Sequence, residues 1–306
     1  VLKIPSRRDF KDRPQIPFLN RSDLFIMTDL SNENVIHIRK DNIEYLQFRK
    51  LLEYPEIKHI YSLGINRDYR TSKANKEPLS IEKYKEAIDN YKELCNQIDD
   101  SYLNVVKADQ THSDNIEIVE KKKINGKTEN LNIVEVKNID SLITNDGNIL
   151  LATTNADCIL FLMYDPKNKV IANVHSGWRG TVQRISVKTI EKMRKIYNSN
   201  PKDIICCICP SIRKCHFEVD ENVKNIFQNE FQDLDMTNII EKAKNKEKWF
   251  IDTVEINNLI LQKEGLKKEN IIDSKLCSVC NHDIIHSYRM EKETYGVNVA
   301  LIGKIV

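Results

Sequence analysis

The order of apolar and polar positions divides this chain into short segments with two distinct periods. Ile159-Leu160-Phe161-Leu162-Met163-Tyr164 is an unbroken apolar run. It is followed by Asp165-Pro166-Lys167-Asn168-Lys169 and then by a second run, Val170-Ile171-Ala172-Asn173-Val174. Two runs of strand length around a Pro/Asn turn predict an antiparallel pair. Folding them about Lys167 sets Cys158 beside Ser176, one residue from His175. Over residues 80–98 the period becomes helical. Ile81, Tyr84, Ile88, Tyr91, Leu94 and Cys95 form an apolar stripe, Ser80 is placed to cap it, and Glu82 and Glu86 lie early. A further helix is expected after Gly180-Thr181, with Val182, Ile185, Ile190, Met193 and Tyr197 inward and Lys188, Lys192 and Arg194 outward.

The same patterning predicts strands over residues 57–64, 103–112, 133–136, 149–153 and 203–210, with a turn at 145–148 joining the third to the fourth. Short helices are expected at 42–53, 220–231 and 252–264. Residues 284–305 alternate like two strands around 291–295. Residues 65–77 and the basic tip 121–127 read as loops. The first 30 residues, with Pro5, Pro14 and Pro17, read as an irregular lead-in carrying edge strands at 16–19 and 24–27. Neither an internal repeat nor a long flexible linker divides the chain. Strands and helices mix without strict βαβ alternation. The expected fold is therefore α/β (α+β), with mixed β-sheets sandwiched between helices in a single domain. The expected division is a lead-in over 1–56 and one compact catalytic unit over 57–306.

Composition narrows the class without naming a function. The 306 residues are 41% apolar and 30% charged, with a formal net charge of +2. That balance is ordinary for a globular protein and argues against a general nucleic-acid or membrane surface. No stretch approaches the roughly 18 apolar residues of a membrane span. The first residues lack the apolar core of a secretory signal. Together with the eight cysteines, this leads to the expectation of a cytoplasmic protein with reduced thiols.

The chemistry-bearing residues gather around the hairpin. His112, Cys158 and His175 suggest a metal site, because zinc takes imidazole and thiolate ligands and a catalytic site uses three protein donors. Gly177-Trp178-Arg179-Gly180-Thr181 lies at a strand-to-helix junction. There the glycines admit close approach, the helix start at Thr181 offers free N–H groups, and Arg179 offers a bidentate anion contact. Asp157 is placed for acid–base work, for orienting a ligand histidine, or simply for stabilising a turn. A second group, Cys277 and Cys280 with His282 and His286, has metal-ligand chemistry but not the spacing of a zinc finger or ribbon, so buried thiols are its plainer reading. Cys206, Cys207 and Cys209 read as core packing. Cys215-His216-Phe217-Glu218 follows a turn that can line a pocket, and Arg289 offers a second cationic anchor.

These residues resemble a known family. Asn155-Ala156-Asp157-Cys158 is similar to its TADC motif, and His175-Ser176-Gly177-Trp178-Arg179-Gly180 to HAGWRG. Gln110-Thr111-His112 resembles QVH, residues 210–219 resemble PSIGPCCYEV, and Ser287-Tyr288-Arg289 resembles FSYR. The set, in this order from about residue 57 onward, is that of the YfiH-type family, long labelled multicopper polyphenol oxidases or laccases and now regarded as purine nucleoside phosphorylases. The resemblance implies zinc on His112, Cys158 and His175. It also implies phosphorolysis of adenosine, inosine, guanosine and methylthioadenosine, with adenosine deamination as a second activity. Asp157, Cys158 and Arg179 then become the expected catalytic residues, and Arg179, Thr181, Arg289 and Arg67 the expected substrate contacts. One segment departs from the family: residues 62–71 lack the glycine pair of its STRxGGVS segment, so that Arg67 or Arg70 stands in for the family arginine.

Three other readings remain open at this stage. Cys158 can serve as a nucleophile with His175 as its base, in a hydrolase of cell-wall precursors. Copper can replace zinc in a phenol oxidase, although seven histidines, two already used, are few for several copper centres. A binding module with a structural zinc needs no turnover. The partners expected are purine nucleosides and phosphate, not nucleic acid or membrane, and a homo-oligomer is compatible with the sequence.

Overall fold

The computed structural model describes residues 28–72, 78–98, 104–124, 131–244 and 247–305. In chain order these form β1 (Val35–Lys40), β2 (Ile43–Phe48), α1 (Arg49–Leu52), β3 (Ile57–Ser62), α2 (Ile81–Asn96), β4 (Asn104–Asp109), β5 (Ile116–Ile118) and β6 (Asn132–Lys137). There follow β7 (Ser141–Thr144), β8 (Leu150–Asn155), β9 (Ile159–Asp165), β10 (Val170–Ser176), α3 (Trp178–Val182), α4 (Ile185–Tyr197) and β11 (Ile205–Ile208). The chain ends with β12 (Glu218–Asp220), α5 (Glu221–Glu230), β13 (Ile240–Lys242), β14 (Lys248–Ile251), α6 (Thr253–Lys263), β15 (Ile271–Asp273), α7 (Tyr288–Glu291) and β16 (Asn298–Lys304).

Two mixed sheets face each other. The seven-stranded sheet runs β1-β2-β3-β16-β8-β4-β6 and the six-stranded sheet β15-β11-β9-β10-β7-β5. Their inner faces share one core, in which Leu46, Tyr61, Leu151 and Ile302 meet Leu160, Leu162, Tyr164 and Ile171. The outer face of the first sheet packs Ile60, Val105 and Leu301 against Tyr91 and Leu94 of α2. The outer face of the second packs Phe161, Met163 and Val174 against Ile190 and Met193 of α4 and Val254 and Leu261 of α6. Strand β9 thus buries alternate residues on both faces, the physical reason for its unbroken apolar run. A three-stranded sheet, β12-β14-β13, packs with α5 beside this sandwich.

The mixed-sheet α/β expectation agrees with this architecture, while several local expectations need correction. Residues 43–48, expected as part of a helix, are strand β2, paired antiparallel with β1 and β3. The apolar spacing there serves sheet pairing, and only 49–52 turns helical. In α2 the buried residues are Ala87, Asn90, Tyr91, Leu94 and Cys95, whereas Ile81 and Tyr84 at its start face solvent. Ser80 does cap it, accepting from Lys83 N at 3.3 Å. Strands β6 and β8 are not joined by one turn. Strand β7 lies between them in the other sheet, and both pair in parallel with β4. The helix expected after Thr181 begins earlier, at Trp178, and is broken where Arg184 adopts φ +59°. Residues 288–294 are helical and precede a single strand, β16. Glu291 explains the turn, its carboxylate accepting from Ser287 N (2.6 Å) and Gly296 N (3.2 Å). The edge strands expected at 16–19 and 24–27 lie outside the described residues, as do residues 125–127 of the basic tip expected at 121–127, of which Lys121–Lys123 form a 3-10 turn.

The hairpin differs by one residue. Asp165 accepts from Lys167 N at 2.9 Å and Asn168 N at 3.2 Å, and Lys169 takes φ +57°, so the turn holds four residues. Ser176 therefore pairs with Ile159, and Cys158 falls opposite Gly177 rather than Ser176.

Candidate functional site

The three donors come from three strand ends at one edge of the sandwich. His112 follows β4, Cys158 lies in the crossing from β8 to β9, and His175 is near the end of β10. Parallel pairing brings the ends of β4 and β8 together. The Gln110 side chain extends that pairing, donating to Thr154 O at 2.7 Å and accepting from Thr154 N at 2.8 Å. At the crossing, Asp157 has φ +88°. Asn155 holds the turn closed, donating to Cys158 O at 2.6 Å and Pro210 O at 2.9 Å while accepting from Tyr61 Oη at 3.0 Å.

The ligand-capable atoms of His112, Cys158 and His175 all lie within 4.8 Å of one another. Cys158 Sγ is 3.7 Å from His112 Nε2. The two imidazole rings meet edge to face at 82° with centroids 4.9 Å apart. Gly177 makes this closeness possible, since a Cβ there would stand 2.6 Å from His112 Cδ2 and 3.2 Å from Cys158 Sγ. Asp140, buried at the start of β7, binds the cluster from behind. Its Oδ1 lies 2.7 Å from His175 Nδ1 and accepts from His112 N at 3.0 Å; its Oδ2 accepts from Ser113 N at 2.8 Å and Ser113 Oγ at 2.7 Å. That bond places the proton of His175 on Nδ1 and turns Nε2 toward the other donors.

Electrostatics within the trio favour charged forms. Burial alone would raise the Cys158 thiol, but the His175 charge and the His112 and His175 hydrogen bonds overcome it and hold the thiol below its ordinary value. Burial likewise opposes the His175 cation, yet the Cys158 thiolate and Asp140 raise it. Burial also works against the Asp140 carboxylate, and hydrogen bonds from His175 and Ser113 keep it ionised well below the usual range. One thiolate and two imidazoles suit zinc or a similar borderline cation, and three protein donors leave a coordination position for another group.

A cavity of about 610 Å³ opens onto the trio, within the roughly 300–1,000 Å³ range typical of small-molecule sites. Its walls carry Arg70, Trp178, Arg179, Phe217, Tyr288, Arg289 and Tyr295. The Arg179 guanidinium is exposed, stacks 4.5 Å from the Trp178 ring, and has no ion-pair partner among the described residues. Arg70 stacks 5.0 Å from the Tyr295 ring and pairs with Asp68 at 2.7 Å. Arg289 also lines the cavity, but its guanidinium donates to His216 O (2.8 Å) and Glu218 O (3.2 Å).

Two expected contacts are placed elsewhere. Arg67 is tied to α2, donating to Asn90 Oδ1 at 3.1 Å and Glu93 Oε2 at 2.5 Å, so Arg70 is the arginine of its loop that reaches the cavity. Thr181 is fully buried, because the helix starts three residues before it. Its hydroxyl lies 3.1 Å from Ser176 Oγ and accepts from Asn257 Nδ2 at 3.1 Å. Asp157 lines the cavity and accepts from Ser278 Oγ (2.6 Å), Ser287 Oγ (2.7 Å) and Arg289 N (2.7 Å). His282 and His286 do not join Cys277 and Cys280. His282 is exposed, and His286 is buried against Glu291 (3.0 Å) and Arg67 O (3.0 Å). Asp140 was missed by sequence reasoning. The available signal was an aspartate directly before Ser141-Leu142-Ile143-Thr144, a short apolar run not recognised as a strand.

Residues 71–304 match a family described as multi-copper polyphenol oxidoreductase laccase. A purine nucleoside phosphorylase YlmD of Bacillus subtilis (strain 168) is 32% identical over 199 residues, covering 65% of this chain and 70% of that relative. A purine nucleoside phosphorylase of Staphylococcus aureus (strain MRSA252) is 31% identical over 212 residues, covering 69% of this chain and 77% of that one. The crystal structure of a Bacillus licheniformis hypothetical protein, YfiH, matches with a TM-score of 0.72 at 23% identity, over 85% of this chain and 96% of that one, a likeness of fold.

Proposed function

The chain belongs to the multi-copper polyphenol oxidoreductase laccase family, and from that membership we propose that it is a zinc-dependent purine nucleoside phosphorylase. Adenosine, inosine, guanosine and methylthioadenosine are its substrate class, with adenosine deamination as a second activity of the same cavity. The observation that carries this reading is the convergence of a His/Cys/His trio and a free guanidinium, Arg179, on one cavity, in a chain whose relatives are named purine nucleoside phosphorylases.

Phosphorolysis forms a bond between a phosphate oxygen and the anomeric carbon while the bond from that carbon to the purine nitrogen breaks. The purine leaves with the bonding pair and takes up a proton. Deamination adds water at the amino-bearing carbon and releases ammonia. His112, Cys158 and His175 would hold the ion, which when bound supplies Lewis acidity toward substrate or water. Arg179, in the first turn of α3 and on the cavity wall, is the phosphate anchor, with Arg70 a second cation lining the same cavity. Phe217, Tyr288 and Tyr295 offer aromatic faces to the purine. Asp157, which accepts from three donors, fixes the loops of Ser278, Ser287 and Arg289. Asp140 orients His175 and His112.

The test is to incubate purified protein with each nucleoside, with and without phosphate, and to separate the products. Free base appearing only with phosphate is expected, and Cys158→Ala should lose the ion held by the trio together with turnover. Arg179→Ala should raise KM for phosphate about tenfold or more while leaving nucleoside KM within about threefold, the scale of one lost charge-assisted contact. Phosphate-independent base release, or phenol oxidation that scales with copper loading, would remove this assignment.

A further inference from the structure

Behind the cavity wall, a second set of soft donors converges that the trio does not use. Cys215, His216, Cys277 and Cys280 place their ligand atoms within 4.8 Å of one another. Cys215 Sγ lies 3.7 Å from Cys277 Sγ and 3.9 Å from Cys280 Sγ. His216 Nδ1 lies 3.1 Å from Cys215 Sγ, 3.7 Å from Cys277 Sγ and 3.5 Å from Cys280 Sγ. A disulfide needs sulfurs about 2.05 Å apart. A tetrahedral zinc with bonds of about 2.3 Å to sulfur and about 2.0 Å to nitrogen separates its donors by about 3.5–3.8 Å along each edge. Four of these five spacings lie within about 0.2 Å of such edges, and only the 3.1 Å from His216 Nδ1 to Cys215 Sγ is shorter.

We propose that Cys215, His216, Cys277 and Cys280 form a structural zinc site that clamps the loop before β12 to the loop before α7. Three thiolates and one imidazole close the coordination sphere, which distinguishes this site from the three-donor trio and fits a structural ion rather than a catalytic one. The chain is built for the clamp. Ser211 bridges Cys277, Ser278 N donates to Ser211 O at 3.0 Å, and Asn281 Nδ2 donates to Cys277 O at 2.8 Å, closing the Cys-x-x-Cys turn. The apolar support is slight: Ile212, Cys277 and Val279, with Phe217 against them. An ion can supply the binding energy that so small a core lacks. Cys215 and Cys280 are exposed, and metal binding would shield thiols that are otherwise open to oxidation. The clamped loops carry Phe217 and Glu218 on one side and Ser278, the partner of Asp157, on the other. The ion therefore sets the shape of the cavity wall without touching its contents.

Metal analysis of the full chain tests this, with the Cys158→Ala variant separating the two sites. About two zinc ions per chain are expected in the unaltered protein and about one in Cys158→Ala. Cobalt replacing that remaining ion should give tetrahedral visible bands and a strong thiolate-to-cobalt charge-transfer band, although Cys158 is gone. Cys280→Ser in the same background should abolish that ion, and Cys280→His, which restores a donor, should retain it. One ion in both the unaltered protein and Cys158→Ala would sink the trio and leave the clamp standing. A metal-free Cys158→Ala protein, or a disulfide among Cys215, Cys277 and Cys280 in protein kept under reductant, would overturn the clamp.

Discussion

At the level of single side chains, Asp140 governs two of the three donors in the trio. Its Oδ1 meets His175 Nδ1 at 2.7 Å and His112 N at 3.0 Å, so one carboxylate sets the ring of one ligand and the backbone of the other. Asp140→Asn keeps the shape but replaces part of this acceptor set with a donor. Metal affinity should fall about 10–100-fold, as read by competition with a chelator, while the fold persists. An unchanged affinity would mean that the orienting bond is dispensable. The donors themselves were legible because thiolate and imidazole residues near strand ends stand out in a sequence. Asp140 was not, since an aspartate before a strand has many uses and only the approach of His175 selects one. Thr181 illustrates the opposite error. Its N–H was expected free at a helix start, but the helix begins at Trp178, Thr181 N donates to Gly177 O at 2.9 Å, and the hydroxyl meets Ser176 and Asn257.

Among elements, the β9–β10 hairpin was the most legible, because both of its faces are buried and its apolar runs are continuous. Its register shifted by one because the Asp165 side chain organises a four-residue turn. The segment at 43–48 was misread as helix because a short apolar run does not reveal its period until strands pair on either side. A further contact ties the hairpin to β3 from outside the core. Glu56 Oε1, just before β3, accepts from Tyr164 Oη and Lys169 Nζ, both at 2.7 Å. The hydrogen bond from Lys169, aided by the one from Tyr164, lowers the Glu56 carboxyl to about 2 from an ordinary value of 4.5. A depressed carboxyl contributes stability that is fully present above its unfolded value and is lost as pH falls through the folded one. Lys169 is half exposed, and screening limits the contribution. Glu56→Gln should therefore cost about 1 kcal/mol near pH 7. The difference from the unaltered protein should shrink below pH 4.5 and vanish near pH 2. Thermal unfolding across that range measures it, and a pH-independent difference would show that packing, not charge, is responsible.

For the whole molecule, the decisive feature is how the two sheets are held in register. Asn173 on β10 crosses the core, donating to Leu151 O at 2.9 Å on β8 and Ala300 O at 2.8 Å on β16, and its carbonyl accepts from the Thr153 hydroxyl. Asn173→Ala strands these buried groups together and should cost about 2–4 kcal/mol in denaturant unfolding. A loss under about 1 kcal/mol would mean that apolar packing alone aligns the sheets. That alignment matters for the site, because β4 and β8 belong to one sheet and β10 to the other. No helix among the described residues is long and apolar enough to cross a membrane. From the sequence alone came the α/β class, the hairpin, the capped helix, the three donor residues and the family, all of which rest on local spacing and residue chemistry. Tertiary structure alone decided that Asp140 stands behind His175, that Arg70 and not Arg67 reaches the cavity, that Thr181 is interior, and that Cys215 and His216 meet Cys277 and Cys280. Each of these depends on which distant strand ends and loops become neighbours. Sheet pairing and core burial determine that, and no periodicity within a single segment encodes it.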